Sequence, residues 1–400
     1  MPDMRKLKPY NNYQSVKYDY VAQVPEGWKL LPNIAVFEER IERGFIDEEL
    51  LSVTIGRGVI RQTDVDIKKD SSNEDKSKYK LIKIGDIAYN RMRMWQGALG
   101  YSDYRGITSP AYVILKPKMD INQRFFHYMF RTDFYTNYSK RFSYGIVDDQ
   151  LSLRYVDFKR MYSIVPPIEA QNDIVTYLDR KTKKTREFIQ KKERLIELLE
   201  EEKRVIIIGE CNKHSQKHLK KIKFVARICN GQDQKSIEDV NGKFHIYGSG
   251  GVIGHTNSYL HDKKSVLLGR KGTIDKPIYV EEPFWSIDTA FYTDINERKI
   301  LPEYFYYVCT FLPFEEYTYG SAIPSMTQAI LNNIEIPLPN KDIQKQVIKL
   351  IKLKHKTLDI AISRTKSEID KAKEYQESLI TQIVTGQLKV PTLTLEKALN

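Results

Sequence analysis

Apolar residues recur along this chain in two rhythms. Runs of four to eight positions bunch or alternate as strands do, and two far longer stretches repeat every three to four positions as helices do. The first long stretch, 166–210, opens at Pro166 and Pro167, which bar a helix upstream because proline restricts the residue before it. Gly209 offers a C-terminal stop. An a/d register puts Leu178, Thr185, Lys192, Leu199 and Ile206 at a, and Ile174, Lys181, Phe188, Leu195 and Glu202 at d. Ile189 and Ile196 widen the stripe, as in a helix that meets more than one neighbour. At ~1.5 Å per residue, about 40 residues make a rod of roughly 60 Å. No small domain is that wide, so the rod acts as a spacer or packs against an equal partner.

The second long stretch, 336–390, repeats the first. Aligning Gln171 with Gln344 sets an offset of 173 (344 − 171), at which Lys181 meets Lys354, Lys183 meets Lys356, Ile189 meets Ile362 and Ile196 meets Ile369. The a positions map to Ile351, Leu358, Thr365, Ala372 and Leu379, all apolar or small. Two such helices in one chain predict an antiparallel pair with a globular unit at each end. The polar middle of the first, Lys181 and Lys192, reads as a place where the rod meets a DNA backbone or a partner subunit.

The segments between the helices read as mixed strand and helix. Strands are expected at Leu50–Ile55, Leu81–Tyr89 and Ala111–Leu115, and a helix-compatible aromatic run at Ile121–Tyr138. Further strands are expected at Phe244–Tyr247, Ser265–Leu268, Pro277–Val280 and Thr289–Tyr292, and an aromatic helix at Tyr304–Phe311. Arg91 aligns with Arg270, and Ala111-Tyr112 with Ala290-Phe291, both at an offset of 179; Tyr144-Gly145 resembles Tyr319-Gly320. The plan is therefore an irregular arm 1–24, a globular unit 25–165, a long helix 166–210, a second unit 211–335, a second helix 336–390 and a tail 391–400. The fold class is α/β (α+β), one fold used twice as a pseudo-twofold internal repeat around a coiled coil.

Charge adds a partner to this picture. The formal net charge is +12, with 64 Lys and Arg against 52 Asp and Glu, which favours a polyanion, nucleic acid first. No eighteen-residue apolar run and no apolar leader are present, so neither a membrane span nor a secretory signal is expected, and a cytoplasmic location is. The three cysteines have neither metal-site nor disulfide spacing.

Catalytic patterns are not found. The cluster Gly248-Ser249-Gly250-Gly251 lacks a glycine at Ile253 for a dinucleotide loop, and Gly254 is followed by His255 rather than the lysine of a P-loop. It reads as a tight turn, or as a loop that lets backbone approach a phosphate. Pro166-Pro167 has no amide or carboxylate before it and no aromatic after it, so it is not an adenine-methyltransferase tetrapeptide. Asp148-Asp149 is an isolated acidic pair, read as a turn. What remains is basic and aromatic groups on loops: Arg91, Arg93 and Trp95 after one strand, and Ser249, Arg270, Lys271 and Thr273 in the second unit. Arginine holds guanine through paired donors, and both arginine and lysine hold phosphate. These seven are the DNA-binding candidates; a solvated surface is the competing reading. The basic run Arg180–Arg194 is a solvated helix face, or one that tracks a DNA backbone.

In this order the motifs resemble the DNA-specificity (S) subunits of Type I restriction-modification systems. The resemblance rests on Pro25-Glu26-Gly27-Trp28, Tyr89 to Gly97, Ser109-Pro110-Ala111-Tyr112, Tyr247 to Gly251, Leu268 to Gly272 and Gly320 to Ser325. Both helix entries and the closing Leu379 to Gly386 complete it, over nearly the whole chain. The second entry carries one extra residue between proline and glutamine. The resemblance implies two target recognition domains and an antiparallel coiled coil between them. It implies no catalysis and no cofactor on this chain. S-adenosylmethionine, ATP and Mg are expected on partners, namely two methylation (M) subunits and, in the full complex, restriction (R) subunits. Double-stranded DNA is the expected ligand, read as a bipartite target. A stand-alone nucleic-acid-modifying enzyme is the alternative.

Overall fold

A computed structural model describes residues 7–16, 21–65, 75–145, 151–213, 219–317 and 325–392. Asp148-Asp149, Tyr319 to Pro324 and the tail from 393 lie outside the described residues. The chain divides into two units, Met1–Gln190 with Ile369–Asn400, and Lys191–Glu368. The first long helix is Ile168–Asn212 and the second Lys341–Val384.

The first unit is built on a four-stranded antiparallel sheet in the order Phe37–Glu39, Tyr112–Pro117, Ile87–Asn90, Leu99–Tyr101. Its central strands are apolar on both faces, and alternation divides them between two cores. Ile87, Tyr89, Val113 and Leu115 join a core of Phe37, Phe125, Phe126, Phe130 and Phe158, while Ala88 and Ile114 join the hairpin residues Leu51, Val53 and Val59. The rings of Phe37 and Phe126 meet edge to face at 5.0 Å, a geometry that adds to the burial itself. The same core takes Ile174 and Leu178 from the head of the first long helix, and Leu379 and Ile383 from the foot of the second.

The second unit repeats this order. Its antiparallel sheet runs Ala226–Asn230, Ala290–Ile295, Ser265–Gly269, Ile278–Val280. Val266, Leu268 and Phe291 face one core, and Leu267, Val280 and Phe284 face another. The main core takes Ile207 and Cys211 from the foot of the first long helix and Val347 and Ile351 from the head of the second. In each unit a short strand that precedes a long helix pairs antiparallel with an early strand: Tyr162–Val165 with Lys29–Pro32, and Glu335–Pro337 with Leu219–Lys221.

The aligned glutamines do the same work in both units. Gln171 and Gln344 are 1% and 0% exposed. Gln171 Oε1 accepts from the Asn122 N–H at 2.8 Å, and its Nε2 donates to the Pro166 carbonyl at 2.8 Å. Gln344 Oε1 accepts from the Leu301 N–H at 2.8 Å, and its Nε2 donates to the Pro339 carbonyl at 2.8 Å. Each clamp ties the head of a long helix to the start of an aromatic helix, Gln123–Phe130 or Pro302–Cys309.

The helix seam differs from the expected a/d register. Phe188 and Leu195, placed at d, are each 38% exposed, and the covered stripe instead continues from a through Thr182, Ile189, Ile196, Lys203 and Glu210. Polar residues face inward here because the opposing helix supplies partners. Lys192 Nζ meets Glu368 at 2.7 Å, Lys203 Nζ meets Asp359 at 2.7 Å, and Glu210 accepts from Lys354 Nζ at 2.7 Å. Lys192 is thus held by the other helix, which accounts for a lysine at a covered position. Gly209 does not end the helix: Glu210 and Cys211 are buried beyond it and draw the helix on to Asn212.

The arm expected to be irregular is docked where it is described. Tyr13–Ser15 pairs with Gln23–Pro25, Tyr13 Oη donates to the Gly386 carbonyl at 3.1 Å, and the Lys389 N–H donates to the Lys8 carbonyl at 2.9 Å. Its partners come partly from the other end of the chain, so no local periodicity announces it. The aromatic run Ile121–Tyr138 is two helices, Gln123–Phe130 and Asp133–Phe142, the second capped by the Thr132 hydroxyl.

Two predictions follow from this packing. Replacing Gln344 by Met keeps its shape but leaves a buried N–H and carbonyl unpaired; urea unfolding should show a loss of about 1–3 kcal/mol, and a change under about 0.5 kcal/mol would remove the clamp from the account. Glu377 has its pKa raised by a hydrogen bond with the Asp133 carboxyl and by burial. A carboxyl raised by folding stabilises the fold while protonated, and that contribution disappears as pH climbs through its folded pKa. E377Q should therefore raise Tm at pH 7 by about 1–2 °C and change it little at pH 4, as read by thermal melts at the two pH values.

Candidate nucleic-acid interface

In the second unit the strand Ser265–Gly269 ends in a sharp turn, Arg270 to Thr273. A Cβ on Gly269 would stand 2.0 Å from the Thr273 carbonyl oxygen, and Gly272 has φ +81°, so both positions favour glycine. The Arg270 and Lys271 N–H groups donate to the Thr289 carbonyl at 2.9 and 3.1 Å, and the Arg270 carbonyl accepts from the Met326 N–H at 2.9 Å. The Arg270 guanidinium lies over the Phe291 ring at 5.8 Å and donates to the Asp288 carbonyl at 3.4 Å. Among the described residues it has no carboxylate partner, which leaves most of its donor fork unused.

Ser249 reaches this turn from the hairpin Phe244–Gly248 and Gly251–Thr256. Its N–H donates to Thr289 Oγ1 at 3.3 Å, and its hydroxyl lies beside Gly272, 3.4 Å from where a Cβ would stand. Gly250 lies against Thr273 in the same way, at 3.9 Å. The structure therefore gathers Ser249, Arg270, Lys271 and Thr273 at one edge of the unit. Thr289, which sequence reasoning did not single out, joins the two loops through its carbonyl and its hydroxyl. The glycine cluster is a hairpin turn, with Gly251 at φ +124°.

The first unit uses the same backbone frame with different side chains. The strand Ile87–Asn90 leads into Arg91, whose carbonyl accepts from the Leu153 N–H at 2.9 Å, as that of Arg270 does from Met326. The chain then makes a 3₁₀ turn, Met94–Gln96, closed by Gly97 at φ +80°. Trp95 carries Lys140 Nζ over its ring at 4.9 Å, a cation–π contact. Arg91 Nε and Trp95 Nε1 are buried with no hydrogen-bond partner among the described residues, although buried donors are usually satisfied. Arg93 is exposed. Burial raises the Tyr112 hydroxyl pKa, and Arg93 and a hydrogen bond from Asn90 pull it back down. Lys140 was not foreseen, because it arrives on a helix about fifty residues downstream.

Among the described residues no group of three His, Cys, Asp or Glu side chains has metal-holding geometry, and no helix is long and apolar enough to cross a membrane. Cys211 is buried, and burial pushes its thiol up to about 12.

Comparison with known proteins adds a resemblance. Residues 215–371 match the Type I restriction modification DNA specificity domain. A putative Type I restriction enzyme specificity subunit, S.HindORF215P of Haemophilus influenzae, is 24% identical over 133 residues, 32% of this chain. That match spans about a third of the relative, 34% of its length. A chain solved in work on complex assembly and conformational transition of the Type I R-M system superposes with a TM-score of 0.71 at 14% identity, covering 91% of this chain and 99% of that one. The HsdS subunit of Thermoanaerobacter tengcongensis superposes with a TM-score of 0.50 at 14% identity, covering 94% and 100%. Residues 215–371 thus resemble a Type I restriction-modification DNA specificity domain, and the fold over most of the chain is that of the two solved chains.

Thr289 generates a prediction at this site. T289V removes the hydroxyl that Ser249 bonds and keeps the side-chain shape. Binding of a cognate duplex should weaken about 2–10-fold, the worth of one neutral hydrogen bond, and T289S should restore it; equal binding by all three proteins would sink the positioning role.

Proposed function

We propose that this chain is the sequence reader of a Type I restriction-modification complex, each unit recognising one half of a bipartite DNA target. The observation that carries the reading is the shared frame with divergent contents. Arg91 and Arg270 follow equivalent strands and are held by equivalent backbone bonds, yet the loop of one carries Trp95 with Lys140 over its ring and that of the other Lys271 with Ser249 beside it. Two sites of one architecture and different chemistry suit two different base sequences. Base-edge contacts from such loops discriminate by ~1–3 kcal/mol each, and phosphate contacts supply much of the affinity.

The paired helices act in this reading as the spacer that sets the unread gap, and as a docking surface for two M subunits. The M subunits carry S-adenosylmethionine and methyl transfer, and R subunits, with ATP and Mg, complete the complex in the cytoplasm. The net charge of +12 suits a polyanionic ligand.

Methylation mapping in cells holding this chain and its M subunit should return a two-part motif with a fixed gap. R270A should relax one half of that motif and leave the other intact; loss spread evenly over both halves would make Arg270 a phosphate contact instead. Inserting part of a heptad near Lys192 should change the gap length, and an unchanged gap would dismiss the helices as the spacer.

A further inference from the structure

The first unit holds a second basic site apart from the Arg91 turn. An open cleft of about 1020 Å³ lies between the hairpin tip at Gly56–Arg57, the helix Gln123–Phe130 with the residues just after it, and the two long helices. Six cations line it: Arg57, Arg124, Arg131, Lys183, Arg186 and Lys373. Only two carboxylates do, Asp179 and Glu377. Asp179 is already engaged by Arg124 at 3.3 Å and by the Tyr128 hydroxyl at 2.6 Å, and Glu377 is hydrogen-bonded to Asp133.

The back wall is built around Arg131. Its guanidinium donates to the carbonyls of Leu99, Ile55 and Gly56 at 3.0, 2.8 and 2.7 Å, with no carboxylate partner among the described residues. A sheltered cation held only by carbonyl dipoles leaves its charge uncompensated, which favours an anion nearby. His127 beside it is neutral: burial holds its pKa down to about 3, and Nδ1 accepts from the Tyr101 N–H at 3.1 Å. At the mouth, Lys183, Arg186 and Lys373 are exposed and have no ion pair among the described residues. The remaining lining is mostly polar, including Thr132, Thr182 and Gln376. Protein interfaces bring an apolar core, so this lining fits a phosphate ligand better than a protein segment.

The equivalent place in the second unit has a different character. Tyr307 stands where Tyr128 does, at the offset of 179, and Lys352 and Lys356 stand where Asp179 and Lys183 do, at 173. There Lys352 is paired with Glu303 at 2.7 Å, Asp359 is held by Lys203, and Ile360 is 60% exposed. Three such cations at one mouth are a property of the first unit; in the second, of the aligned pair Lys352 and Lys356, only Lys356 has no ion pair among the described residues.

We propose that the cleft of the first unit binds the phosphodiester backbone of duplex DNA, so that it adds affinity without sequence information. This rests on the reading of the chain as a DNA-specificity subunit. The test uses the complex of this chain with its M subunit, in wild-type form and with K183Q, R186Q and K373Q combined. Each phosphate contact adds about 0.9 to the slope of log K against log salt. The triple variant should lower that slope by about 2–3 on both the target duplex and a scrambled duplex of equal length, with the methylated motif unchanged. K356Q in the second unit should leave the slope as it is. An unchanged slope in the triple variant overturns the proposal, and so does failure of that variant to assemble with the M subunit, which would make the cleft a subunit interface. A wild-type complex that binds both duplexes equally would instead overturn the reading of the chain as a specificity subunit, and the slope would still report on the cleft.

Discussion

Each long helix is anchored by one buried amide side chain. Gln171 and Gln344 lie at the heads of the two helices, and each satisfies one N–H at the start of an aromatic helix and one proline carbonyl before its own helix. A helix of forty-odd residues holds its direction relative to a domain only if its first turn is fixed, because a small angular error there grows along its length. The amide is suited to this work: it offers a donor and an acceptor on one rigid group, and it carries no charge to desolvate.

From this anchor the rest of each unit can be built. The helix head is seated against the sheet, the sheet's central strands divide their side chains between two cores, and one of those central strands leads directly into Arg91 or Arg270. The arginines are thus fixed through their backbones. Their carbonyls are tied to Leu153 and Met326, and the Arg270 side chain meets a ring and a carbonyl rather than a carboxylate. A guanidinium held in that way keeps its direction and retains donors for a ligand. The first unit adds Trp95 and Lys140 to this frame, and the second adds Ser249 and Thr289. The same contrast recurs at the clefts beside the long helices, lined by six cations in one unit and partly apolar in the other.

The interior of the helix pair follows the same electrostatic logic. Lys192, Lys203 and Glu210 face the opposite helix because Glu368, Asp359 and Lys354 meet them there. Such pairs add little net stability where they are half exposed, but they disfavour a slipped register, in which like charges would face each other. Charged residues at covered positions and aromatic or aliphatic ones at exposed positions, such as Phe188 and Leu195, give the helices a weak hydrophobic signal.

The plan of the chain was legible without any tertiary contact. Two matched periodic stretches, two proline entries and two glutamines at a constant offset were enough to give two long helices, a repeated mixed unit and a basic loop after one strand of each. Those features are local, written in spacing and turn chemistry, and they survive without knowledge of neighbours. Which helix positions are covered was set by packing, since Phe188 and Leu195 at d and Ile189 and Ile196 at e offer equally apolar stripes. Folding also puts Gly209 inside a helix, makes residues 13–15 a strand, and brings Thr289 to Ser249, Lys140 to Trp95, and Arg131 to the carbonyls of a distant hairpin. Each of these depends on groups that arrive from distant parts of the chain, and spacing along a sequence carries no record of which side chains folding will bring within hydrogen-bond reach.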